Sequence, residues 1–215
     1  MRILGLTGGI ASGKSTVSRE LDRLGAMIIE SDLLAHLQME PETAVWHKVK
    51  QYFGDSILKE DQAIDRTALG NIVFNDPREL MALNELVHPA VMEETKKLLR
   101  IIEDHNPQQD VVVEIPLLFE MGLRDAFDQV WTVWIDEGEQ VSRLMKRNNL
   151  SEEEAYLRLK SQMRLDDKAD MGDYVIDNSR DLDYTFFQVR KRYQEFQKLP
   201  NIVQQGRFWQ TCSRC

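Results

Sequence analysis

Cysteine is nearly missing from these 215 residues: Cys212 and Cys215 are the only two, and both fall in the last four positions. No disulfide framework or zinc quartet can organise the body of such a chain. The Cys-x-x-Cys at the end lacks both a second ligand pair and the βαβ setting of a redox motif, so it reads as an exposed tail. A core without cysteine suits a reducing cytoplasm, the expected location. Long apolar runs are missing too. With no stretch of 18 or more, no transmembrane helix and no membrane partner are expected. The first apolar stretch is interrupted by Gly8, Gly9 and then Lys14, which argues against a signal peptide. Positive charge is in deficit: 27 Lys and Arg face 36 Asp and Glu, a net charge of −9. That argues against a nucleic-acid surface as the main business of the protein and makes locally basic segments stand out. Internal repeats and low-complexity linkers are absent. What remains, 42% hydrophobic and 29% charged, describes a globular protein with room for a main domain and insertions.

Near the N-terminus stands Gly8-Gly9-Ile10-Ala11-Ser12-Gly13-Lys14-Ser15-Thr16. It meets the pattern G-x-x-x-x-G-K-[ST]. Glycines let a backbone close round an anion, and the amides from about Gly9 to Ser15 then point at phosphate oxygens. The following helix adds its positive end. Lys14 reaches the β/γ-phosphates, and the Ser15 hydroxyl is placed to ligate Mg²⁺. The setting is right. The run Arg2 to Thr7 reads as a buried strand, and Val17, Leu21 and Leu24 recur at helical spacing before Gly25, a C-terminal cap.

The rest of the chain alternates in the same sense. Ala26 to Ile29 reads as a second strand, ending at Glu30-Ser31-Asp32. Asp32 either accepts a proton from a substrate hydroxyl or helps hold Mg²⁺, or it caps a helix starting at Leu33. From Leu33 to His105 the pattern is helical. Val45, Val49, Tyr52 and Phe53 form one apolar face, Asp76-Pro77-Arg78-Glu79 is a capping box, and His88-Pro89 is expected to break the helix it opens. Some 70 residues of helix between two strands exceed an ordinary crossover, so they read as an inserted substrate subdomain. His88 is a phosphate or substrate contact, or a capping or packing residue. Asp110 to Ile115 is a third strand, whose Glu114 faces the site or points away; Gln129 to Ile135 is a fourth. Glu139 to Lys168 is charged and helical, with Arg143, Lys146 and Arg147 on neighbouring turns, and a second capping box at Ser151-x-x-Glu154 opens a helix carrying Arg158, Lys160 and Arg164. Either this is a solvated face or a lid that brings arginines onto phosphates; the P-loop favours the lid. Asp173 to Ile176 is a fifth strand, and a helix from Leu182 to Leu199 closes the domain.

Taken together, Leu6-Thr7-Gly8-Gly9-Ile10-Ala11-Ser12-Gly13-Lys14-Ser15-Thr16, an Asp after strand two, His88-Pro89, Pro116-Leu117-Leu118-Phe119-Glu120, Arg143-x-x-x-Arg147, Gln162 and Asp177-Asn178 resemble dephospho-CoA kinases over residues 1–199. The resemblance implies an α/β fold: a five-stranded parallel P-loop kinase core (residues 1–32, 106–138 and 172–199), a helical dephospho-CoA-binding insertion (33–105), a helical lid (139–171) and a tail (200–215). It implies ATP and dephospho-CoA as substrates, with Mg²⁺. Asp32 would be the base or hydroxyl-orienting group, and Lys14 and Arg147 would stabilise the transferring phosphoryl. Gly9, Ala11, Ser12, Gly13, Lys14, Ser15, Thr16, Arg143 and Asn178 would bind the nucleotide, Asn178 near adenine. Asp32, His88, Leu117, Arg147 and Gln162 would bind the acceptor. Two departures stand out. Ala11 replaces a usual third glycine, which the cradle tolerates provided its φ is negative, and Glu30 replaces a usual aspartate, which leaves the role of that position open. A nucleotide kinase, a P-loop ATPase and a GTPase switch are the alternatives; the last lacks the Asn-Lys-x-Asp that reads guanine. Oligomeric state leaves no mark in the pattern.

Overall fold

A computed structural model describes residues 1–200; Cys212 and Cys215 lie outside the described residues. In chain order the elements are β1 (Arg2–Gly8), α1 (Lys14–Arg23), β2 (Met27–Glu30), α2 (Ser31–Gln38), α3 (Ala44–Phe53), α4 (Arg66–Val73) and α5 (Pro77–His105). They continue with β3 (Asp110–Glu114), β4 (Gln129–Trp134), α6 (Glu137–Asn148), α7 (Glu152–Lys160), α8 (Leu165–Met171), β5 (Tyr174–Asp177) and α9 (Leu182–Phe196). The chain divides into two compact units. One is Met1–Glu30 with the described residues from Leu98 on; the other is Ser31–Lys97.

The first unit holds the sheet. All its strand pairs are parallel, in the order β2-β3-β1-β4-β5. β1 is central, with Leu6 opposite Glu114 on one side and Trp131 on the other. Strands covered on both faces must be apolar throughout, and Val111, Val112 and Val113 are indeed fully buried. Trp131 anchors the core: fully buried, it meets Tyr174 and Phe196 edge to face at 6.3 Å each. Burying an aromatic of this size contributes about 3 kcal/mol. Val17 and Leu21 of α1 and Val189, Tyr193 and Phe196 of α9 pack into the same cluster. Because the strands are parallel, their carboxyl ends share one edge. The strand order reverses about β1, which makes that edge beyond Gly8 the place for a ligand.

The second unit is helical, with one isolated antiparallel bridge, Leu58 to Ile64. Thr43 caps α3 by accepting from Trp46 N at 3.1 Å, and Asp65 caps α4 by accepting from Thr67 N and Ala68 N. Four sequence expectations need correction here. Tyr52 is exposed, outside the apolar face that Val45 and Val49 bury. Pro89 does not break its helix: α5 runs through it from Pro77 to His105. Proline inside a helix costs about 3 kcal/mol, and the buried side chains of Val87, Val91 and Met92 around it offset that cost. Asp76 caps α5 through Arg78 N at 2.9 Å, one position short of a capping box. Finally, α2 begins at Ser31, so Asp32 stands inside its first turn rather than capping a helix that starts at Leu33.

Candidate active site

The loop from Gly8 to α1 is shaped by close approaches. Gly13 has φ +96°, and a Cβ there would lie 2.0 Å from Asn178 Nδ2. A Cβ on Gly8 would lie 2.6 Å from Val133 O and 2.7 Å from Ser12 Oγ. The glycines thus clear the protein itself, whereas the motif alone suggested that they clear an anion. The negative φ on which tolerance of Ala11 was conditioned is not met: its φ is +60°. A left-handed residue with a Cβ costs about 1–2 kcal/mol, so the chain keeps a glycine-type conformation here without the glycine.

What this loop offers is a set of donors. The amides of Ala11, Gly13 and Ser15 reach no protein acceptor among the described residues. Ser15 stands in the first turn of α1, where the helix dipole is positive. The amides of Ser12 and Thr16 turn back onto Gly9 O and Gly13 O. Lys14 Nζ donates to Gly8 O at 3.2 Å and Gly9 O at 3.0 Å, and the residue is 9% exposed. It opens α1 and is buried over the loop's own carbonyls. The Ser15 residue is exposed and its hydroxyl has no protein partner among the described residues. Thr16 follows, half-buried.

Charged and polar groups from the distal half of the chain converge on this loop. From α6, Gln140 Nε2 donates to Ile10 O at 2.6 Å. In the link after α7, Gln162 Oε1 accepts from Ile10 N at 3.0 Å. Gln162 was expected on a helix; it lies beyond α7, and Arg164 lies beyond it as well, at the N-cap of α8. Asn178, just after β5, is buried. Its Nδ2 donates to Ser12 O at 2.8 Å, and its Oδ1 accepts from Thr185 Oγ1 at 3.0 Å. That side chain is committed to the loop and to α9, so a base could meet only its surroundings. Arg143 Nη2 donates to Asn178 O at 3.3 Å, while Arg143 Nε pairs with Glu139. Arg147, one turn on and exposed, donates to Asn148 Oδ1 at 2.8 Å. A cleft of about 640 Å³ opens beside the loop, lined by Gly9, Trp134, Asp136, Gln140, Gln162 and Arg164 among others.

The turn after β3 is tied in from below. Lys168 is fully buried, and its Nζ donates to Pro116 O at 2.6 Å and pairs with Glu120 at 2.7 Å. Burial pulls its ammonium below the ordinary lysine range, against the opposing pull of Glu120. Glu120 also accepts from Met163 N at 2.9 Å, next to Gln162. Leu117 is half-buried on the same turn. Glu114 ends β3 buried and accepts from Ser18 Oγ of α1, beneath the loop rather than open to solvent. Glu30, its neighbour in register, is exposed.

Two predicted site residues belong to the other unit. Asp32 is exposed, and its carboxylate accepts no hydrogen bond among the described residues. His88 is half-buried inside α5, and burial lowers its pKa from the ordinary value. Sequence reasoning missed Gln140, Thr185 and Lys168 entirely. Gln140 carried one usable signal: it shares the buried face of α6 with Val141 and Leu144, and an uncharged polar residue on an apolar face is there to bond something.

A parallel sheet of this order, with a glycine-rich loop between its central strand and a helix and with arginines on a helix after the fourth strand, defines a P-loop kinase. The comparisons narrow the class. The family model "Dephospho-CoA kinase" matches residues 2–183. The chain is 44% identical over 187 residues to the dephospho-CoA kinase of Carboxydothermus hydrogenoformans, covering 87% of this chain and 90% of that protein. It is 45% identical over 191 residues to that of Symbiobacterium thermophilum, covering 88% and 79%. The solved dephospho-CoA kinase of Campylobacter jejuni superposes with a TM-score of 0.66 at 30% identity, covering 92% of this chain and 98% of that one. The chain belongs to the dephospho-CoA kinase family.

Proposed function

We propose that this chain transfers the γ-phosphoryl group of ATP to the ribose 3′-hydroxyl of dephospho-CoA, giving CoA and ADP, with the loop from Gly8 to Thr16 as the phosphate cradle. One observation carries the placement: the amides of Ala11, Gly13 and Ser15 find no protein acceptor, at a helix N-terminus that also presents Lys14. Donors left open at such a point are an anion site. Lys14 exchanges Gly8 O and Gly9 O for phosphate oxygens and follows the charge as it moves onto the leaving group. Arg143 and Arg147 of α6 neutralise the phosphates, and residues 139–171 act as a lid that excludes water. Asp32 orients and deprotonates the acceptor hydroxyl. The unit containing His88 holds dephospho-CoA.

The residues present suit Mg²⁺. Among the described residues no group of three His, Cys, Asp or Glu could hold a metal alone, and Mg²⁺ bound with phosphates needs only one or two protein oxygens and its own waters. The open Ser15 hydroxyl would supply one, with Asp32 as a second candidate. The ion would neutralise charge building on the transferring group. The proposed location is the cytoplasm; no helix among the described residues is long and apolar enough to cross a membrane.

The arginines test the lid. Arg147→Ala is expected to lower kcat/KM about 10²-fold, and Arg143→Ala by a similar factor, with melting temperature nearly constant. Lysine at either position should recover little, because a point charge does not replace a bidentate fork. Steady-state rates beside thermal melts decide it. Full activity in both alanine variants would make the segment a solvated face.

A further inference from the structure

Ala11 is the odd residue of the phosphate loop. It holds φ +60°, a conformation natural to glycine, and its own amide is one of the open donors of the cradle. The residue before it is gripped from both sides: Gln140 Nε2 donates to Ile10 O at 2.6 Å, and Gln162 Oε1 accepts from Ile10 N at 3.0 Å. Both glutamines come from more than a hundred residues away in sequence, from α6 and from the link after α7. Gln140 is 4% exposed. Ile10 and Ala11 also pack against Val141, Leu144 and Ala155.

We infer that Gln140 and Gln162 are positioning residues: their amides fix the two peptide groups of Ile10, hold Ala11 in its left-handed turn, and so keep the cradle open for the phosphates of ATP. This rests on the loop being the ATP site. Neither glutamine needs to touch the substrate. This gives Gln162 a role other than the acceptor contact that the resemblance implied. The logic is one of linked equilibria. An alanine left to itself prefers negative φ, which would re-aim the amides on either side of it. The glutamines bias the loop against that. A loop only partly in its competent state binds ATP more weakly by that fraction.

The test uses the full chain and ATP itself. Gln140→Met and Gln162→Met keep side-chain length and remove the amide. Each is expected to raise KM for ATP about 10-fold while kcat changes less than about 3-fold. Ala11→Gly keeps the backbone amide and makes the left-handed turn natural, so it serves as the rescuing change. In the Gln162→Met background the same change should recover most of the lost affinity. A general packing defect would not be rescued by a glycine in the loop, and it would lower the melting temperature in step with affinity. The inference fails if native-like ATP affinity persists in both methionine variants, or if Ala11→Gly recovers nothing. Absence of ATP binding by the native chain would instead refute the site assignment, so the two failures are told apart.

Discussion

Lys14→Ala should lower kcat by about 10³-fold or more, because it removes the charge that follows the phosphoryl group through the transition state. The structure adds a second effect that the sequence did not suggest. Lys14 is buried and donates to two carbonyls, Gly8 O and Gly9 O. Removing it takes the ammonium from Gly8 O and Gly9 O, the latter keeping Ser12 N, at a cost of about 1–3 kcal/mol. For a chain of this size that lowers the melting temperature by roughly 3–10 °C. The variant should still fold and show its native circular dichroism at room temperature. Single-turnover measurements at saturating ATP and acceptor separate the chemical step from binding. Turnover within about 3-fold of the unchanged protein would sink the role of Lys14 in the cradle.

Asp32→Asn should lower kcat by about 10²–10⁴-fold, the range for removing a general base. The competing account of Asp32 as a helix cap does not survive, since α2 begins one residue earlier, at Ser31. What remains as a structural role is the favourable position of a carboxylate in a first turn, worth about 0.3–1 kcal/mol. Asn forfeits that interaction and little else, because Asp32 is exposed and accepts no hydrogen bond among the described residues. Melting temperature should therefore shift by no more than roughly 4 °C. ATP affinity should stay unchanged, since the loop from Gly8 to Thr16 is untouched. A folded, ATP-binding protein that makes almost no CoA is the expected outcome. Normal turnover in Asp32→Asn would leave the proton acceptor elsewhere.

The parts of this molecule that were legible in sequence are those fixed by near neighbours. Strands such as Asp110–Glu114 declare themselves through a run of β-branched residues, and the loop from Gly8 to Thr16 through its own spacing. The capping box at Ser151 and Glu154 formed as read, and Gly25 closes α1 with φ +96°. What failed depended on packing the local pattern does not contain. Pro89 reads as a stop in isolation, yet α5 continues because burial around it outweighs one lost hydrogen bond. Tolerance of Ala11 was tied to a negative φ; it takes +60°, next to an Ile10 bonded by side chains distant in sequence. Asn178 has a further part that no local pattern shows: its side chain holds Ser12 O. Gln140, Lys168 and Thr185 carry no motif. Their importance arises only when the sheet brings β4, β5 and their helices beside β1.

The central claim is that the loop moves phosphate onto one particular hydroxyl. The most direct measurement is to supply the protein with γ-labelled ATP, Mg²⁺ and dephospho-CoA, and to locate the label in the products. The account predicts label on the ribose 3′-oxygen of CoA, one ADP per CoA, and ADP release slowed by orders of magnitude when dephospho-CoA is withheld, because water is a poor acceptor in a closed site. Label found only in inorganic phosphate, released at the same rate with or without dephospho-CoA, would contradict it.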